Sequence, residues 1–582
     1  MSTKVAELRK FLTQDEPSQW VSYLWDTYNN QRREKIEEWK EMRDYIFATD
    51  TSTTSNGALP WKNTTTLPKL CQIRDNLHSN YLSALFPNDS WLRWQGYSVE
   101  DSLIEKAANI EAYMANKTRV SDFRNVMSQT LLDYIDYGNA FAYPDFVSQM
   151  KEMPDGTVLP AFVGPVGRRI SPLDIVFNPL ANSFDETHKV VRSIKSLGEV
   201  KKLAETNPDQ AFWKEALDSR LEKQSLMGSY SQEDFDKAVG YSADGFGNMY
   251  EYFMSDYMEV LEFYGDYHNT ETGELKTDMI ITVVDRCKTV REEKMPQWYA
   301  GSPIVHVSWR KRPDNLWGMG PLDNLVGLQY RLDHLENLKA DAMDLIIHPP
   351  LKIIGEVEQF RWAPGVEIHI DEGGSDVQEL GTSMGNIFGA AQEMQQIEDR
   401  MELYAGAPRE AMGVRTPGEK TAFEVQELSN ASTRIFQEKI NHFEIEFLEK
   451  LLNKMLETAQ RNMDMADVIR VFDNDIGAEV FSTLTVDDIT AHGLLQPIGA
   501  RHFAKKAQDL QNLTQVMNSS VGQMVQPHTS ALELTRFIDD SLGLKGYDIF
   551  KENVNIKEQQ STQSAVNMAQ ENIAAEQATP VI

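Results

Sequence analysis

From Leu322 to Leu345 an apolar residue recurs every three or four positions (Leu322, Leu325, Leu328, Leu332, Leu335, Leu338, Ala342, Leu345), and the run is then cut off by His348-Pro349-Pro350. This spacing puts one narrow apolar stripe on an α-helix. Opened by the breaker Gly318-Met319-Gly320-Pro321, the helix has ~27 residues and extends roughly 40 Å. Pro349 disfavours helical geometry at His348, and neither proline can continue the hydrogen-bond ladder. The chain must therefore leave the helix at once. The β-branched run LKIIGEV that follows predicts a strand over Leu351–Val357.

A second short strand, Val366–Ile370, lies beyond the turn Ala363-Pro364-Gly365. A second helix, Asn386–Tyr404, carries Ile387, Ala391, Met394, Ile397, Met401 and Tyr404 on one face. Outside their stripes both helices are acidic, through Asp333, Glu336, Asp341 and Asp344 on the first and Glu393, Glu398, Asp399 and Glu402 on the second. A small β unit is thus inserted between two helices whose stripes are too thin for them to stand alone. Such stripes need neighbours on their flanks, and repetition around a ring supplies them.

The loop GAPREAMGVRTPGEK comes next and leads into a marked helix start, with Thr416 as N-cap, Pro417 at the first position and Glu419 placed for a capping box. Val425, Leu428, Ile435, Phe443, Phe447, Leu451 and Met455 hold the helical period over ~45 residues, roughly 70 Å. A helix of that length braces a large assembly or coils with a partner. The chain after it reads as mixed to about 500, with helices near 500–519 and 530–541 and a Gln-, Asn- and Ala-rich tail.

Before the first striped helix, Pro17–Ala48 reads as one amphipathic helix and TSTTSNGALPWKNTTTLP as a turn-rich loop without periodicity. Helices follow over 68–85, 100–116 and 119–137, then β-like chain to about Val191, a helical patch over 197–223 and a meander over Met258–Val307. The fold class this predicts is α+β, mainly helical.

Charge narrows the function. The chain has 57 basic and 88 acidic residues, a formal net charge of -31. Broad gripping of nucleic acid needs concentrated Lys and Arg, which this balance denies, although DNA that must not be held can lie close by. Cys71 and Cys287 are far apart, so neither a disulfide framework nor a cysteine zinc site is expected. The N-terminus lacks an apolar export segment, and no stretch reaches the ~18 apolar residues of a membrane span.

The motifs of chemistry are equally sparse. No GxxxxGK[ST] loop or HExxH occurs, and Gly245 and Gly247 lack the setting of a dinucleotide site. Asp185 and His188 read as a solvated turn, His334 and His348 as structural. No catalytic residue, metal site or cofactor is expected. Arg409, Arg415 and Lys420 form a cationic loop inside an acidic region, suited either to phosphate contact or to pairing with Glu410 and Glu419. A metal-dependent hydrolase would need convergent Asp, Glu and His, whereas here the acids are strung along helices. A structural or scaffold protein of another kind is the other alternative.

This order of parts resembles the portal (head-to-tail connector) proteins of tailed bacteriophages, short-tailed phages in particular. Four segments carry the likeness: NYLSALFPNDSWLRWQG, LLDYIDYGNAFAYPDF, WGMGPLDNLVGLQYRLDHLENL and LLQPIGARHFAKKAQDLQNL. The resemblance implies a wing (1–318), a stem helix (319–347), a clip (348–385), a second stem helix (386–405), a tunnel loop (406–416), a long wing helix (417–463), a crown (464–550) and a C-terminal tail (551–582) that is a helical barrel or disordered. It further implies a dodecameric ring, without catalysis of its own, at one vertex of the capsid, made in the host cytoplasm and carried in the virion. The terminase drives double-stranded DNA through it, DNA later leaves through it, and tail adaptor proteins and the major capsid protein are its other partners. In this scheme Arg409, Arg415 and Lys420 meet DNA and the eight acids of the stem helices line the channel. Glu356, Glu358, Glu367, Asp371, Glu372, Asp376 and Glu379 of the clip dock partners.

Overall fold

The computed structural model describes residues 17–47, 62–86, 91–98, 104–152, 154, 158–206, 211–225, 256–268, 273–286, 288–298, 301–347, 351–354, 376–379, 384–405, 437–463, 466–473 and 478–498. The tunnel loop, Lys420, most of the clip and the chain beyond 498 lie outside them. The chain divides into two compact units, Met1–Leu82 with Ser121–Arg461, and Ser83–Val120 with Asn462–Ile582. Helix and strand are mixed throughout, as an α+β chain requires. The expected 1–318 body is not one unit, because 83–120 is claimed by the C-terminal chain.

In chain order the first elements are α1 (Pro17–Gln31), α2 (Arg33–Phe47), α3 (Lys69–Leu85), β1 (Leu92–Gly96), α4 (Ile104–Val120), α5 (Phe123–Asp136), β2 (Asn139–Glu152), β3 (Val158–Ile170), β4 (Ile175–Phe177) and β5 (Lys189–Ser196). The single helix expected over Pro17–Ala48 breaks at Arg32. That guanidinium turns inward and donates to the carbonyls of Pro172, Leu173 and Ile175. The patch over 197–223 is likewise two helices, α6 (Leu197–Thr206) and α7 (Ala211–Ser225).

The expected meander over Met258–Val307 holds only in its first part, since Val305–Ser308 at its end pairs with β2 instead. β6 (Tyr257–His268), β7 (Leu275–Val284) and β8 (Lys288–Lys294) extend an antiparallel sheet in the order β4-β5-β6-β7-β8. Alternation along β6 fixes its two faces. Leu261 and Phe263 join Ile281 and Val283 of β7 under Val21, Leu24 and Trp25 of α1. Met258 and Val260 join Val284 and Val290 against Val200, Trp213 and Ala216 of α6 and α7. At the β7–β8 turn, Asp285 and Arg286 adopt positive φ (49° and 56°). The buried Arg286 there grips Glu259 bidentately at 2.6 and 2.9 Å.

β9 (Val305–Ser308) completes the sheet β3-β2-β9, and β10 (Arg310–Arg312) pairs with β11 (Asn315–Met319). The first striped helix follows as α8 (Val326–Ile347), then β12 (Leu351–Ile354), β13 (Asp376–Glu379) and the second striped helix, α9 (Met384–Tyr404). β12 pairs antiparallel with β13, Leu351 opposite Glu379 and Ile354 opposite Asp376. The strand begins where the prolines predict, but its partner is 376–379; the expected strand over 366–370 lies outside the described residues.

The described part of the long helix, α10, spans 437–462 and contains a π turn at Glu444–Glu449. Such a turn inserts a residue into the α ladder and shifts the following stripe. Phe443, Phe447, Leu451 and Met455 are all buried. In the other unit, β14 (Ala466–Asp473) pairs with β15 (Ala478–Thr485), the short α11 (Val486–Ile489) follows, and β16 (Gly493–Pro497) pairs with β1, Leu92 opposite Pro497.

Candidate functional site: the acidic helical hairpin

α8 and α9 pack as a hairpin, and burial changes along it. At the base Leu322, Leu325, Leu332 and Leu335 of the first arm are buried, as are Met394, Ile397 and Met401 of the second. Towards the tip the stripe comes into the open. Leu338 is 40% exposed, Leu345 47%, Ile347 62% and Phe388 73%.

A polar stripe runs beside the apolar one. Gln329, Asp333, Asn337 and Asp341 follow at four-residue intervals, which aligns them on one helix face. They take up the backbone of the segment before α3. Asp341 accepts from the Asn63 N–H at 3.0 Å and its Nδ2 at 2.7 Å. Asn337 accepts from the Thr65 N–H at 2.8 Å and donates to the Thr65 carbonyl at 2.9 Å. Asp333 accepts from the Leu67 N–H at 2.9 Å, and Gln329 donates to the Leu67 carbonyl at 2.7 Å. Four helical residues advance about 6 Å and two extended residues about 6.6 Å, so side chains on a helix can serve every second peptide of an extended segment.

The described end of the segment read as an aperiodic loop, residues 62–67, is therefore strapped along α8. Its partners were legible as a polar i, i+4 series, but nothing local to Asn63, Thr65 or Leu67 announced them. The strap continues into α3, where the Lys69 ammonium lies 2.6 Å from Glu402 and 3.7 Å from Glu398 of α9. Lys69 and Glu402 are both buried, so a charge pair ties the second arm to the same strand-helix segment.

This redistributes the acids expected to line a channel. Asp333 and Glu402 are buried inside the unit and cannot present charge to a lumen. Burial pushes the Asp333 carboxyl up to about 7 against the opposing pull of the Leu67 N–H and Gln329. Asp341 and Asp344 are held by Asn63, the latter at 3.3 Å from its Nδ2. Glu336 pairs with Lys339 at 2.5 Å and Glu393 with Arg331 across the hairpin at 3.3 Å. Glu393 and Asp399 remain on exposed positions, Glu398 half-buried. Arg409, Arg415, Lys420, Glu356, Glu358, Glu367, Asp371 and Glu372 lie outside the described residues. Asp376 and Glu379 stand at opposite ends of β13.

The hairpin base is set by one close glycine approach and one hydrogen bond. Gly138 has φ +65°, and a Cβ there would stand 2.2 Å from the Gly320 nitrogen. Asn139 then accepts from the Gly318 N–H at 2.9 Å. So the GNAF turn after α5 locks against the WGMG entry to α8. In the other unit, a Cβ on Gly493 would meet the Gln95 carbonyl at 2.4 Å, where β16 closes on β1. No described helix is long and apolar enough to cross a membrane, and no described group of three or more His, Cys, Asp or Glu is placed to hold a metal.

Residues 281–531 match the family described as bacteriophage head to tail connecting protein. The resemblance read from the quoted segments is borne out over that stretch. WGMGPLDNL and LLQPIG lie inside it, and the two segments outside it meet them in space: GNAF docks on WGMG, and LRWQG pairs with GLLQP. No curated protein matches the chain.

Proposed function

We propose that this head-to-tail connector chain assembles into a ring, the portal, through which double-stranded DNA enters and leaves the capsid. The observation that carries the proposal is the graded exposure of the α8–α9 hairpin. Its base is satisfied within the chain, while Leu338, Leu345, Ile347 and Phe388 lie open towards the tip. Exposed apolar side chains grouped on one element mark an interaction surface. Copies of the same hairpin around a closed ring cover one another's flanks, and an open apolar tip then needs no other partner.

The charge balance suits the traffic. A chain of net charge -31 repels phosphates broadly, so DNA slides without sticking. Weak contact then falls to Arg409 and Arg415 in the tunnel loop and Lys420 just after it, with Glu393 and Asp399 the stem carboxylates left at exposed positions. The acidic clip residues suit encounter with basic faces of the terminase or of tail adaptors.

The test is native mass and negative-stain imaging of the purified chain. Closed rings of about a dozen 66.3 kDa subunits are the expected outcome. A monodisperse monomer at micromolar concentration would overturn the portal reading.

A further inference from the structure

A cavity of about 700 Å³ opens between the β9–β11 region and the helix α10. Its walls carry Lys311, Arg312, Lys450 and Lys454 against two carboxylates, Asp185 and Glu446. In so acidic a chain this reversal of sign stands out. One carboxylate is already spent, since Glu446 accepts from Lys450 at 2.7 Å. Lys454 donates to the Ser302 carbonyl at 2.5 Å, with Asp185 and Glu457 acting on its charge from nearby and Lys450 opposing them. Lys311 and Arg312 are exposed at the rim.

The cations act on one another and on the histidines of the wall. Burial first, then the nearby Lys311, Lys189 and Lys450, hold His306 down to about 3, so it is a neutral ring. It stacks on Phe141 at 4.6 Å and packs against Phe184 at 4.8 Å, which makes an apolar floor. His442 also lines the cavity. Its Nε2 is buried without a hydrogen-bond partner, while its ring is held by a hydrogen bond with the Ser308 backbone.

We infer that this cavity binds a phosphate group, with Lys311, Arg312 and Lys454 supplying charge. Clustered ammonium and guanidinium groups with little compensating carboxylate favour a multiply charged oxyanion over a single carboxylate. The low-dielectric floor of His306 and Phe184 strengthens each contact. The phosphate belongs either to a small free phosphate or to the backbone of DNA. The site is assigned independently of ring formation.

The experiment is isothermal titration of the full-length chain with inorganic phosphate, with pyrophosphate and with a short DNA duplex, at constant ionic strength. Saturable binding of one of these is expected, weakened about tenfold in Lys311→Gln/Arg312→Gln, whose exposed positions leave the fold intact. Lys454→Met should weaken it further, and its thermal melt separates lost binding from lost folding. Phosphate binding that the duplex does not displace assigns the free ligand, and displacement assigns the DNA backbone. No saturable binding by any probe, or binding unchanged in the rim variant, overturns the site.

Discussion

Thr65 and Asn337, 272 positions apart, exchange two hydrogen bonds: the Thr65 N–H donates to Asn337 Oδ1 at 2.8 Å, and Asn337 Nδ2 donates to the Thr65 carbonyl at 2.9 Å. A side-chain amide here does what a neighbouring strand's peptide does in a sheet. The same face of α8 repeats the service for Asn63 and Leu67, so the strap is held at every second residue.

Asn337→Leu keeps the helix and the volume but strands both peptide groups of Thr65. Thr65 is an exposed residue, so water takes up part of the loss and each group costs less than the about 1–3 kcal/mol of a fully buried one. The expected result is a lower melting temperature together with faster hydrogen exchange at the Thr65 and Leu67 amides. Parent-like protection at both amides would show that the strap is held by other contacts.

Asp333 predicts a pH dependence. Its folded-state carboxyl titrates at about 7, and the unfolded one near 3.9. Across that window the folded chain holds a proton the unfolded chain has released, so this group's contribution to stability falls as pH rises from about 4 to about 7. Asp333→Asn removes the buried charge. The variant's melting temperature should therefore gain on the parent's as pH climbs through the window, and the gap should level off above it. Asp133, raised to about 6 by burial, titrates in both proteins and cancels in the comparison.

The Lys69–Glu402 pair should behave asymmetrically. Lys69→Met leaves Glu402 buried without its counter-ion, a loss on the order of 3–5 kcal/mol. Lys69→Met with Glu402→Leu removes both charges and should recover much of that loss. Denaturant midpoints of the single and double variants decide it, and equal midpoints would mean that the pair is solvated.

Leu332 and Leu338 separate folding from assembly. Leu332 is fully buried in the chain, so Leu332→Asp should unfold the hairpin base through the burial of an unpaired charge. Leu338 is 40% exposed, so Leu338→Asp should change the subunit's own stability by about 0.5 kcal/mol or less while abolishing rings in size-exclusion light scattering. Intact rings from Leu338→Asp would rule out the open stripe as the contact between copies.

Arg409→Ala with Arg415→Ala tests the loop between the two helical regions. Neither arginine belongs to an apolar stripe, so ring yield should be unchanged. DNA protected from nuclease per particle should differ from the parent. Equal protection and equal genome length would remove both from DNA handling.

The hairpin arms were legible in the sequence because hydrophobic period is a local property. Leu322, Leu325, Leu332, Leu335, Met394, Ile397 and Met401 sit where the 3.6-residue repeat puts them, and all are buried. The proline stop at His348 and the β-branched restart were local too, and β12 begins at Leu351. What the acids would do was not local. Asp333 and Glu393 look alike in sequence, yet one is buried under Leu67 and the other is exposed beside Arg331. Which of them meets water depends on the chain segment lying across each helix, and that segment comes from more than 250 positions away in the case of Asp333. The claim of 83–120 by the C-terminal chain escaped for the same reason, since Leu92 of β1 finds its partner Pro497 of β16 only in the folded chain. Sequence determined which faces are apolar, because that is set residue by residue along one helix. Tertiary structure decided which polar groups remain available for function, because desolvation and hydrogen bonding are properties of whatever packs against them.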